Sequence, residues 1–135
     1  MATVYKTIMI DAPPAVVWDA LRDFHAVHQR IAPGFVTGLT SEGDVRIVTF
    51  SNGSVAREKL VSCDDTHRRL VYWISSERMI HHNASAQVFA EPNGTTRFVW
   101  ITDVLPEEIA PYIDSQMSMA VPIMKQTLEK AAQAA

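Results

Sequence analysis

The segment from Pro106 to Ala135 constrains the fold more than any other part of the chain. Apolar side chains recur there at Ile109, Ile113, Met117, Ala120, Met124, Leu128 and Ala131. Steps of three and four residues place them on one face of a helix. Asp114, Ser118, Lys125 and Glu129 fall on the other face. At 1.5 Å rise per residue the helix runs roughly 40 Å, which requires a large apolar surface to lie on. The only source of such a surface is upstream.

Upstream, the hydrophobic period changes to that of strands. Thr3 to Asp11 is β-branched and apolar and ends at Asp11-Ala12-Pro13-Pro14, a strand with an abrupt stop. Asp11 is placed to cap a following helix, Pro13 and Pro14 suit its first turn, and Val16, Val17, Ala20, Leu21 and Phe24 continue at helical spacing, with Trp18 adding bulk. A second helical turn over Ala26 to Ile31 stops at Pro33-Gly34. Six strand-length runs follow: Phe35 to Thr40, Val45 to Ser51, Ser54 to Ser62, Arg69 to Ser75, Asn83 to Ala90 and Thr96 to Val104. The breaks between them, such as Asn52-Gly53 and Glu91-Pro92-Asn93-Gly94, are short turns, so neighbouring strands are expected antiparallel. The expectation is a single α+β domain over residues 1–135, a curved antiparallel sheet wrapped round the last helix.

Strand parity sorts the faces, because alternate residues point the same way. The sets Arg46-Val48-Phe50, Ala56-Glu58-Leu60, Leu70-Tyr72-Ile74 and Phe98-Trp100-Thr102-Val104 are assigned to the concave side, while Arg57, Lys59 and Asp103 are read as solvent-facing.

On these residues the chain resembles a known superfamily. Ile10-Asp-Ala-Pro-Pro-Ala-Val-Val-Trp-Asp-Ala-Leu-Arg-Asp-Phe24 looks like the opening of the SRPBCC (START, pollen-allergen and polyketide-cyclase-like) proteins: a strand, then a proline-started helix with a V-W-x-x-L core and a D-F exit. The stretch Gly43 to Asp65 is similar to the strand-turn-strand of the small bacterial members and of plant abscisic-acid receptors. The resemblance covers essentially the full length and implies the helix-grip fold: seven strands gripping a long C-terminal helix, two short helices after the first strand, and a cavity between sheet and helix. Many bacterial members carry a tryptophan before the proline that follows the second helix, where this chain has Arg30-Ile31-Ala32-Pro33.

Within that frame Arg46 and Glu58 stand out, because an unpaired charge on a concave face is costly to bury. They form either a structural ion pair or a pair that orients a ligand; in the hormone receptors a glutamate matching Glu58 lines the pocket. Tyr72 offers a phenolic donor, unless it sits at a sheet edge without such a role. His81 and His82 are expected in a loop between strands, solvated, with His82 and Asn83 as candidate gate residues by resemblance. His25 and His28 follow the first helix, and a surface place is favoured for His28 over an inward one. The expected lining of the cavity is Arg46, Val48, Phe50, Ala56, Glu58, Tyr72, Ile74, His82, Phe98 and Trp100 from the strands, with Met117, Ala120, Val121 and Met124 from the helix. Met119 is grouped with these methionines, whose flexible side chains suit an irregular cavity or an ordinary core. Pro122 removes one backbone donor and is expected to bend the helix beside them.

Composition excludes several classes. With 47% hydrophobic residues and a net charge of −3, and with no basic run, nothing attracts nucleic acid or an anionic membrane. The single cysteine, Cys63, has no partner for a disulfide and no neighbour at metal-ligand spacing, so neither a metal nor a cofactor is expected and a cytoplasmic setting is. No signal peptide or membrane span is expected. No nucleophile triad or phosphate-binding glycine loop is found. The expectation is therefore a binder of a small hydrophobic molecule, lipid, aromatic or polyketide-like, with a polyketide cyclase/dehydrase-type enzyme using the same cavity as the alternative. A ligand-free interaction module with a filled core is a third reading, and homodimerisation stays open.

Overall fold

The computed structural model describes residues 2–134. In chain order the elements are β1 (Thr3–Ile10), α1 (Pro14–Arg22), a 3-10 turn (Phe24–Ala26), α2 (Val27–Arg30), β2 (Val36–Glu42), β3 (Val45–Phe50), β4 (Val55–Asp64), β5 (Arg69–Ser75), β6 (His81–Ala90), β7 (Thr96–Leu105), a 3-10 turn (Glu107–Ile109) and α3 (Ala110–Ala134). The seven strands form one antiparallel sheet in the order β1-β7-β6-β5-β4-β3-β2. From β2 to β7 each strand pairs with its sequence neighbour, as short turns demand. β1 closes against β7, so α1 and α2 carry the chain from one sheet edge to the other. This is the α+β helix-grip architecture, with α3 lying across the concave face.

Turn chemistry holds the hairpins. Gly53 and Gly94 sit at φ 88° and 83°, where a Cβ would be strained. Asn52 Oδ1 accepts from the Ser54 backbone N–H at 2.9 Å. A bulge between Leu60 and Ser62 shifts the β4–β5 register, which adds local twist and bend.

α1 begins differently from expectation. Pro13 occupies the N-cap with no side-chain hydrogen bond, and Pro14 starts the helix. The Pro13 carbonyl accepts from the N–H groups of Val16 and Val17. Asp11 is not the cap; its own N–H donates to Glu129 Oε2 at 2.8 Å, joining the end of β1 to α3. The polar side of α3 is likewise anchored rather than left to water. Lys6 pairs with Asp114, and Lys125 bridges the Met9 carbonyl and Glu129.

The apolar stripe of α3 buries Ile113, Met117, Ala120, Met124 and Leu128. Leu128 is fully buried in a core with Ile8, Ile10, Val17 and Phe98. Nearer the start of the helix, Ile113 and Met117 pack with Val4 and Val104. Ala131 is exposed, and the half-buried Ala132 takes the final packing position; the drift of a 3.6-residue turn carries position 131 off the stripe. Helix α3 continues through Pro122, which lies on its exposed side. Among the described residues no helix is long and apolar enough to cross a membrane.

Candidate functional site

Between the concave sheet face and α3 lies a cavity of about 790 Å³. The strand parity sets its wall. β3 contributes Arg46, Val48 and Phe50, β4 Ala56 and Glu58, β5 Tyr72 and Ile74, β6 His82, and β7 Phe98 and Trp100; Met117, Ala120 and Met124 come from α3. Val121 does not line it. That side chain is half-buried against the core, one position round the helix from Ala120 and so turned about 100° away. Met119 is 52% exposed and off the wall for the same reason.

Several lining residues had no signal in strand parity. Leu21, Val27, Ile31 and Ala32 bring α1, α2 and the segment after them over one side. Ile31 and Ala32 thus stand in the wall, while the adjacent Arg30 faces away to pair with Asp19 and Asp23. α1 is itself clasped to the β4–β5 turn, because Asp65 accepts from Trp18 Nε1 and Arg22 Nε at 2.9 Å each. At the rim, Ser76, Glu77, Arg78 and Met79 face Tyr112 and Gln116 of α3. Asn52 is more than a turn residue here. Its Nδ2 donates to the Tyr112 hydroxyl at 2.9 Å, tying the β3–β4 turn to the start of α3.

The polar part of the wall is one connected group. Arg46 and Glu58 are direct cross-strand partners, and Arg46 Nε donates to Glu58 Oε1 at 2.8 Å. Arg46 Nη1 donates to the Phe24 carbonyl at 2.8 Å. The guanidinium also lies 4.0 Å over the Phe24 ring and 4.9 Å from that of Tyr72. Hydrogen bonds, a counter-charge and aromatic faces together offset the cost of burying an ion only 5% exposed. Glu58, 8% exposed, keeps Oε2 without a hydrogen-bond partner among the described residues. The ion pair is thus both a structural link and part of the cavity wall.

Tyr72 is in the middle of the sheet rather than at its edge. Trp100 Nε1 donates to its oxygen at 3.2 Å. The two side chains start on β5 and β7 and meet over β6, where the concave positions are Ala84 and Ala86. Larger residues there would keep them apart. Burial, with the nearby Glu58 charge adding to it, pushes the Tyr72 pKa up to about 12. The phenol therefore keeps its proton.

His81 and His82 are not in a loop; they open β6, opposite Leu105 and Val104. Alternation sends them to opposite faces. His81 Nε2 contacts Asn83 Oδ1, and Asn83 Nδ2 donates to Asp103 Oδ2 at 3.2 Å, so Asn83 belongs to the outer face and does not gate the cavity. His82 points inward, with a buried and unpartnered Nδ1. Burial, then the neighbouring His81, pulls the His82 pKa from 6.5 to about 4. His25 and His28 are half-buried, each with a buried unpartnered Nδ1, and neither lines the cavity. Among the described residues no three His, Cys, Asp or Glu side chains are grouped to hold a metal.

The His82 shift has a measurable consequence. Because the folded-state value lies below the unfolded one, the unfolded chain takes up the proton first as pH falls. The contribution is complete above about pH 6.5 and is lost on descent to about pH 4. A fully desolvated group would contribute about 3 kcal/mol, and partial exposure reduces this to about 1–2 kcal/mol. Denaturant titrations should show wild-type stability falling more steeply than that of His82→Gln across this window. Parallel pH profiles would refute the assignment.

Comparison with known proteins agrees with this geometry. The whole chain, residues 1–135, matches the family described as polyketide cyclase/dehydrase and lipid transport. No protein of curated function matches. Among solved structures, the protein XoxI from Bacillus cereus superposes with a TM-score of 0.79 at 18% identity, over 98% of this chain and 96% of that one. An uncharacterised protein from Bacillus thuringiensis reaches 0.82 at 16% identity, over 94% and 98%. A protein from Thermobifida fusca reaches 0.74 at 26% identity, over 98% and 95%. At these identities the structural likeness speaks for the fold, and the full-length family match for descent: the chain belongs to the polyketide cyclase/dehydrase and lipid transport family.

Proposed function

We propose that this protein binds a small hydrophobic molecule, lipid, aromatic or polyketide-like, between the sheet and α3. The observation that carries this reading is a cavity of about 790 Å³ with mostly apolar walls. Protein interiors are normally packed to crystal-like density, so a void of this size in a small protein costs contacts that a ligand restores. Its volume is in the range of small-molecule sites, roughly 300–1,000 Å³. Burial of apolar ligand surface supplies the affinity, at about 25 cal/mol per Å², and the polar group around Glu58 supplies orientation.

The test uses N-phenyl-1-naphthylamine, a neutral probe that fluoresces in apolar surroundings. Wild type should bind one equivalent. Ala120→Trp, which fills the cavity from the α3 side, should weaken binding by at least tenfold while retaining a cooperative unfolding transition. Absence of binding, or equal binding by the filled variant, would sink the reading.

A catalytic reading is favoured by one observation: an uncharged imidazole and a protonated phenol face the same cavity, at His82 and Tyr72. Such groups suit proton transfer and carbonyl polarisation during an aldol closure with loss of water. Turnover of a poly-β-ketone substrate, lost in Tyr72→Phe, would establish it.

A further inference from the structure

We propose that the ligand carries a neutral hydroxyl, as an alcohol or phenol, held between Tyr72 and Glu58, and that the cavity discriminates against the corresponding carboxylate. This rests on the ligand-binding reading above and names the chemistry of its polar end. The guanidinium of the inner wall is largely engaged and its charge compensated. Arg46 donates to Glu58 Oε1 and to the Phe24 carbonyl, and its faces are covered by the Phe24 and Tyr72 rings. Its charge is balanced by Glu58, so an entering anion meets no net positive charge. Between Glu58 and Tyr72, one acceptor and one donor remain unused among the described residues. Glu58 Oε2 has no partner among the described residues, and the Tyr72 oxygen is already an acceptor for Trp100, which leaves its own proton to give. The two side chains lie within reach of one group. Glu58 and Tyr72 are diagonal neighbours, since Glu58 opposes Ile74 and Leu60 opposes Tyr72, and Arg46 touches both.

A hydroxyl satisfies this pair in full, accepting from Tyr72 and donating to Glu58 Oε2. An ether accepts but gives nothing to Glu58. A carboxylate places a second negative charge beside Glu58 in a poorly solvated wall, where like charges repel strongly. The cavity's other arginine, Arg78, has no ion-pair partner among the described residues and stands beside Glu77 in the segment between β5 and β6, outside the strand positions that carry this pair.

Three probes of one shape separate these cases: 2-naphthol, 2-methoxynaphthalene and 2-naphthoate, each competing with N-phenyl-1-naphthylamine at pH 7. With wild type, naphthol should displace the probe at least tenfold more strongly than either of the others. Tyr72→Phe, a change of one oxygen, removes the donor that naphthol and the methyl ether both use and should weaken both several-fold by a similar factor, leaving the advantage that naphthol draws from Glu58. Glu58→Gln leaves the Arg46 charge unbalanced and should invert the order, with naphthoate gaining on naphthol. If Glu58→Gln does not fold, the Tyr72→Phe comparison decides alone. Equal displacement by all three probes overturns the proposal and leaves ligand binding standing. Naphthoate binding that is lost in Arg78→Gln and indifferent to Glu58→Gln also overturns it, placing an anion at the rim. Probe bound but displaced by none of the three overturns it as well; no binding of the probe itself removes both readings.

Discussion

Replacing Arg46 with methionine is expected to lower the unfolding free energy by about 3–5 kcal/mol, the cost of leaving a buried partner charge uncompensated. Glu58 is 8% exposed and opposes Arg46 directly across the β3–β4 ladder, so the carboxylate has no nearby replacement for the lost guanidinium. The Phe24 carbonyl loses its donor as well. Because Glu58 borders the cavity, water entering there should moderate the loss toward the lower figure. The double change Arg46→Met with Glu58→Leu removes both charges and should recover most of the stability, since a buried ion pair contributes little net over apolar residues of similar volume. Denaturant unfolding of the three variants measures this. A double variant no more stable than Arg46→Met would show that the pair contributes through something other than mutual compensation of charge.

Leu128→Ala is expected to cost about 3–5 kcal/mol, and Met117→Ala distinctly less, about 1–2 kcal/mol. Leu128 is wholly buried among Ile8, Val17 and Phe98, where truncation opens a new void in dense packing. Met117 is nearly as buried at 3% exposure but already faces the cavity, so part of its surface has no packing partner to lose. Thermal unfolding reads the difference, at roughly 2–8 °C per kcal/mol for domains of this size class. Equal losses would mean that the cavity end of α3 is packed as solidly as its other end.

The elements that were legible in the sequence are those governed by local periodicity. The 3.6-residue repeat of α3 and the alternation in β3, β4, β5 and β7 assigned most of what those elements give to the cavity wall, because a period of two or 3.6 dictates which side chains share a face whatever lies opposite; the parts from α1, α2, β6 and the rim had no such signal. The family resemblance supplied what periodicity could not: that the two faces stand apart and enclose a cavity. Assignments one step off the stripe, Val121 and Met119, failed because adjacent helical residues diverge by about 100°. The histidine pair was misplaced because Glu77-Arg78-Met79-Ile80 has little strand character, yet pairing with Leu105 and Val104 at the end of β7 extends β6 back to His81.

By itself, then, the sequence determined the order of elements, the gripping of one helix by one sheet, and the inward placement of Arg46 and Glu58. Only the tertiary structure decided which inward groups meet. Tyr72 and Trp100 are bonded because two alanines of β6 leave the space between β5 and β7 open. Trp18 and Arg22 find Asp65, and Asn52 finds Tyr112, across 43 to 60 positions of chain. Contacts at such separations depend on the curvature of the sheet and the register of every strand between, which no local pattern encodes.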